Sequence, residues 1–192
     1  MPSNSLLRWR NERADALDEI EHAHLRVGGS ERGRRYATQQ INHSYAVILS
    51  SQFQGFCRDL HSEAIDHIVL SLPANLRGFV RAELFWSRSL DRGNPHPAAL
   101  GTDFNRLGVN FWGEVYALDS RNERRRELLE ELNAWRNAIA HQDFDLVRGD
   151  STLHLARVRA WRRTIGALGE MFDRVMYNHL STLVGSEPWS PH

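Results

Sequence analysis

The stretch Tyr45-Ala-Val-Ile-Leu-Ser-Ser-Gln-Phe-Gln-Gly-Phe-Cys-Arg-Asp-Leu-His-Ser-Glu-Ala-Ile-Asp-His-Ile68 decides the fold class. Its apolar residues Tyr45, Leu49, Phe53, Phe56, Leu60, Ala64 and Ile68 recur in steps of three and four. At 3.6 residues per turn such steps hold one broad apolar stripe on a helix, whereas a half-buried strand would alternate every second residue. The spacing predicts a helix over 37–71, ended by Pro73, which cannot continue one.

The flanking sequence has the same character. Leu6, Leu7, Trp9, Leu17, Ile20 and Leu25 predict a helix over 6–27, and Gly28, Gly29, Ser30 and Gly33 interrupt it. A short helix is expected over 74–87, and Asp91-Arg-Gly-Asn-Pro-His-Pro97 reads as a loop. Thr102 can cap a helix to about 118 that carries Phe104, Leu107, Phe111, Trp112 and Val115. Asp119 or Ser120 starts the next, to about 141, with the stripe Leu128, Leu132, Trp135 and Ile139. Gln142–Asp150 is a polar connection, and Ser151 opens a last helix to 184 carrying Trp161, Ile165, Leu168, Phe172 and Val175. The expected architecture is an all-α bundle of about five or six helices forming one domain over 1–184, with a loose, proline-containing tail at 185–192.

Composition narrows the function classes. The chain has 192 residues, 41% hydrophobic and 25% charged, as in an ordinary globular domain. No apolar run reaches transmembrane length and the polar, Arg-bearing first residues do not form a signal peptide, so a cytoplasmic protein is expected. Cys57 is the single cysteine, set in an apolar helical context that predicts a buried side chain. Net charge is zero, which excludes a globally basic nucleic-acid binder. All 24 basic residues are arginine; a G+C-rich genome produces that bias without any RNA, so it carries no functional weight.

Chemistry concentrates in Leu132-Asn-Ala-Trp-Arg-Asn-Ala-Ile-Ala-His-Gln-Asp-Phe-Asp145. Asn137 and His141 are four apart and share a helix face, and a long Arg136 side chain, about 140° round an ideal helix from His141, can reach the same patch. A fixed cation, an amide and a titratable imidazole suit phosphodiester cleavage. RNA supplies its own nucleophile in the 2′-hydroxyl, histidine exchanges protons near neutrality, and an arginine fork stabilises charge gathering on the phosphate. No metal or other cofactor is required. Spacing alone decides nothing: with 24 Arg and 10 His, Arg–His pairs with four to six residues between them arise by chance roughly four times. Three occur, at Arg136–His141, Arg148–His154 and Arg174–His179, and only the first has Asn directly after Arg and small residues between. The plain alternative for Arg136 and His141 is a solvated helix end.

Arg136-Asn-Ala-Ile-Ala-His141 resembles the Arg-Asn-x-x-x-His form of the motif that marks the HEPN superfamily. The resemblance implies a helical bundle, a metal-independent ribonuclease site at Arg136, Asn137 and His141, and a homodimer in which two motifs share one cleft. It also implies a role in toxin–antitoxin modules, antiviral defence or RNA processing, with an antitoxin or other regulatory protein as a possible partner. A weaker similarity lies in Ala46–Leu60, where several bacterial HEPN families carry an acidic residue near the place of Gln54. The glutamine departs from that pattern and keeps open a non-catalytic HEPN module that binds nucleotide, RNA or a partner protein. A helical adaptor unrelated to HEPN is the third possibility.

Arg124 and Arg125, beside Arg121 and Arg126, and Arg159, Arg162 and Arg163, beside Arg157, are candidate RNA-phosphate contacts. Glu123, Glu127, Glu130 and Glu131 offset the first group, which reads first as a salt-bridged surface. Asp15, Glu19 and His22 share a face with metal-ligand chemistry but read as a solvated charged face. Gly28-Gly-Ser-Glu-Arg-Gly-Arg-Arg35 matches a phosphate loop in composition only and lacks its lysine.

Overall fold

The computed structural model describes residues 2–27, 34–147 and 151–189. The glycine-rich segment Gly28–Gly33, Arg148, Gly149, Asp150 and the last three residues lie outside them. Among the described residues the protein is all helical, with eight α-helices: α1 (Asn4–Arg10), α2 (Glu12–Val27), α3 (Arg34–Ser71), α4 (Ala74–Phe85), α5 (Pro97–Asn105), α6 (Phe111–Leu118), α7 (Asn122–His141) and α8 (Leu155–Val184). Two short 3₁₀ turns lie at Ser89–Asp91 and Phe144–Val147.

α3 is the axis, about 57 Å long at 1.5 Å per residue. Between 41 and 69 only Ser44, Ser51 and Arg58 are exposed, one line at seven-residue steps. The apolar stripe from Tyr45 to Ala64 is buried, and Ala46, Cys57, Ile65 and Val69 bury beside it. α3 is therefore covered on nearly every side, by α1, α2, α7 and α8 along most of its length and by α4 and α5 towards its end. Burial pushes the Cys57 thiol well up, which keeps it an unreactive core residue. Aromatic rings run through this core from Trp9 to Phe53 and Phe56, on to Phe172 of α8, and from there to Phe111 and Phe104.

Eight helices replace the expected five or six because two expected helices are each divided. The 6–27 helix turns at Asn11 (φ −111°, ψ −92°). It also starts earlier, because Ser3 Oγ accepts from Leu6 N–H while Glu63 takes the N–H groups of Asn4 and Ser5. The 102–118 helix is two: Gly108 adopts φ +85°, and Asn105 Oδ1 accepts from Phe111 N–H at the head of α6. α5 opens at Pro97, inside the expected loop, with proline at the first helical position, where its missing N–H is harmless.

The last helix starts at Leu155 rather than Ser151. Side chains of α3 hold the preceding segment: Gln39 and His43 donate to Ser151 O, and Asn42 donates to Leu153 O. At the other end the tail is not loose as far as Trp189, which is 4% exposed and packs into the core. No helix among the described residues is long and apolar enough to cross a membrane.

Candidate functional site

α7 carries all three motif residues. Its core-facing line runs through Leu129, Leu132, Asn133 and Ala138, whereas Leu128, Trp135 and Ile139 of the expected stripe are only partly buried. Asn137 follows Asn133 by four, and Arg136 follows Leu132 by four, so both continue the buried face where the apolar core runs out. Both are half-buried. The helix ends in a Schellman cap, with Gln142 left-handed at φ 55°, Asp143 N–H donating to Ala138 O, and Gln142 N–H to Ile139 O. His141 is the last helical residue and is exposed.

A polar seam joins this end of α7 to α3 and to the loop before α5. Asn133, buried, donates to Pro95 O at 3.1 Å and to Leu129 O, and accepts from Ser50 Oγ at 3.4 Å. Gln54 Nε2 donates to Leu90 O at 2.7 Å and to Gly93 O. Asn94 Nδ2 donates to Asn137 Oδ1 at 2.6 Å, and Arg136 donates to the same oxygen at 3.3 Å. Asp103 fixes the loop from beneath by accepting from the N–H groups of Ser89 and Leu90 at 2.8 Å.

Gln54 thus has a structural reason. It gives two hydrogen bonds to carbonyl oxygens, and a carboxylate there could give none.

The structure brings Arg136 and Asn137 together. His141 shares their helix, but its ring has no hydrogen-bond partner among the described residues. Arg136 differs from the other arginines. Every other half-buried arginine among the described residues is held by a carboxylate or a backbone carbonyl, as Arg13 is by Asp59, Arg77 by Leu70 O and Leu72 O, and Arg126 by Glu130. Among the described residues Arg136 has only the Asn137 amide oxygen. The rest of its N–H groups, and Asn137 Nδ2 beside them, have no acceptor among the described residues, which suits an anion.

The candidate phosphate contacts are mostly committed elsewhere. Arg124 pairs with Glu127, and Arg125 with Asp119 at 2.9 Å and Asn122 at 2.6 Å. The side-chain hydrogen bond from Arg121 holds the Asp119 carboxyl far below the usual range. Arg159 pairs with Glu21 at 2.7 Å, and Arg162 bridges Asp18 at 2.6 Å and Tyr45 at 3.1 Å. Arg125, Arg159 and Arg162 thereby join neighbouring helices and Arg124 pairs within α7, arrangements that spacing cannot reveal because it does not say where the neighbouring carboxylates will lie. Arg163 is exposed and pairs with no carboxylate among the described residues.

Of the other Arg–His pairs, Arg148 lies outside the described residues, and His179 donates to Leu107 O at 2.8 Å. Asp15, Glu19 and His22 are exposed along α2, and no group of three or more His, Cys, Asp or Glu among the described residues is arranged to hold a metal. Clefts of about 290 Å³ (Asn110, Glu114, His179) and 420 Å³ (Glu131, Trp135, Arg157) do not include the motif trio.

The sequence reading missed Asn133 and Asn94. Asn133 had a signal, a polar residue four before Asn137 on a line that is otherwise apolar. Asn94 had none, because nothing in a Gly-Asn-Pro-His-Pro loop says which helix it will meet.

No protein family matches this chain, and no curated protein and no solved structure is significantly similar to it.

Proposed function

We propose that the chain is a metal-independent endoribonuclease of the HEPN kind, acting through Arg136, Asn137 and His141. The observation that supports this most is the half-buried Arg136 guanidinium, which has neither a carboxylate nor a backbone carbonyl as partner among the described residues, beside an amide and five residues before a histidine. A buried or half-buried cation is normally paired, so an unpaired one beside donor groups is suited to an incoming anion.

In the proposed reaction the 2′-hydroxyl loses its proton and attacks the adjacent phosphorus. The 2′-O–P bond forms, the P–O5′ bond breaks, and the products are a 2′,3′-cyclic phosphate and a 5′-hydroxyl. Arg136 neutralises the phosphoryl oxygens, Asn137 orients them, and His141 transfers a proton at the attacking or the leaving oxygen. The proposal includes a cytoplasmic homodimer in which a second copy completes the cleft, and a toxin or defence role under a regulatory partner.

The second reading, a non-catalytic module that binds nucleotide, RNA or a protein, is favoured by one observation. His141 sits exposed on the helix cap with no group among the described residues to orient its ring.

The test is cleavage of total RNA in the presence of EDTA. Wild type should cut and leave cyclic phosphate ends. Arg136→Ala and His141→Ala should each lose about a hundredfold or more while keeping the helical circular dichroism of wild type. His154→Ala, at an exposed residue outside the trio, should cut normally. A wild type that does not cut, or a His141→Ala variant that cuts as fast as wild type, overturns the ribonuclease reading in favour of the binding module.

A further inference from the structure

Asn137 Oδ1 receives two donors, the amide of Asn94 at 2.6 Å and the guanidinium of Arg136 at 3.3 Å. A guanidinium can only donate, so the Asn137 atom facing it is oxygen, and the Asn94 atom facing that oxygen is nitrogen. Both acceptor sites of the Asn137 carbonyl are therefore used, and its Nδ2 donates to no acceptor among the described residues. Asn94 itself is not free to drift. Gln54 holds the carbonyls of Leu90 and Gly93 on one side, Asn133 holds Pro95 O on the other, and His96 N–H donates to Asn94 O at 2.7 Å.

We propose that Asn94 is a positioning residue that locks the Asn137 carboxamide with its oxygen inward and its amino group outward, as a fixed donor for a phosphodiester oxygen beside Arg136. This rests on the ribonuclease reading above. It assigns the loop before α5 a role in the site and explains why a long polar seam supports so short a contact. An amide free to turn would present its oxygen to a phosphate half of the time and repel it. The lock removes that orientation before substrate arrives.

The test uses the full chain and a fluorescent single-stranded RNA of mixed sequence. Asn94→Ala should lower kcat about fivefold, the size of one ordinary hydrogen bond, with the thermal midpoint and KM near wild type. Asn94→Asp should do worse, because it sets an acceptor against Asn137 Oδ1. In an Asn137→Ala background Asn94→Ala should cost nothing further, a coupling that general damage to the loop would not produce. Equal losses in both backgrounds overturn the lock and leave the ribonuclease reading standing.

The side-chain amide protons of Asn137, observed by ¹H–¹⁵N NMR without RNA, give a readout independent of cleavage. They should shift or broaden in Asn94→Ala, and unmoved signals overturn the lock. If wild type cuts no RNA, the catalytic role falls with the ribonuclease reading, and the amide signals still decide whether the lock exists.

Discussion

His61 shows how a single residue ties fold to pH. It lies fully buried in α3, edge-on to Phe104 and donating to Asp103 O at 3.1 Å. Burial, reinforced by the nearby Arg88 and Arg106 cations, pushes its imidazole down to about 4 from an ordinary 6.5, against the raising effect of the Asp103 carbonyl and carboxylate. Between those values the unfolded chain binds a proton that the native chain refuses. Its contribution to stability is therefore complete above pH 6.5 and is lost as pH falls towards 4, by about 3 kcal/mol in all. Urea unfolding should place the wild-type midpoint clearly lower at pH 4.5 than at pH 7.5. His61→Gln, which keeps a donor and cannot titrate, should flatten that difference; an identical pH dependence in both proteins would remove His61 as its source.

At the scale of elements, α3 and α4 are opposites. α3 is enclosed, while α4 packs on α3 alone, through Val80, Leu84 and Phe85, with Leu76 and Phe79 facing solvent and Phe79 73% exposed. Arg77 ties its beginning to Leu72 O and Leu70 O. Arg106 ties its end to the carbonyls of Glu83 and Trp86. A helix of twelve residues held along one edge is marginal by itself. Its amides should exchange with deuterium well before those at the centres of α3 and α8. Protection as strong as that of α3 would mean that another surface, such as a second copy, covers α4 in solution.

At the scale of the whole molecule the described residues form one continuous buried cluster, and Phe172 is its junction. Its ring lies 5.9 Å from Phe53, 4.8 Å from Phe111 and 5.5 Å from Trp112, joining α3, α6 and α8. Truncation to alanine should cost about 3–5 kcal/mol through lost contacts and the cavity left behind. Because the cluster is shared, near- and far-ultraviolet circular dichroism should lose signal together in wild type and in Phe172→Ala. Two separated transitions would show that the α5–α6 corner unfolds independently of the α3–α8 core.

The sequence by itself determined the helical class and the course of α3, α7 and α8, because apolar steps of three and four are a local property that burial reinforces. It also offered Arg136, Asn137 and His141 as candidates, because of the three Arg–His pairs only theirs has Asn directly after Arg and small residues between. What it did not determine depended on groups distant in the chain. Asn11 and Gly108 divide expected helices, and Ser151–His154 stays extended because Gln39, Asn42 and His43, more than a hundred residues away, take its carbonyls. Asp119, Glu21 and Asp18 stand beside Arg125, Arg159 and Arg162, ion pairs that no spacing in the sequence announces. Asn94 meets Asn137 only because the loop before α5 folds onto α7. Hydrophobic periodicity is written along one helix, whereas a hydrogen bond or ion pair needs a partner whose position the assembled bundle alone supplies.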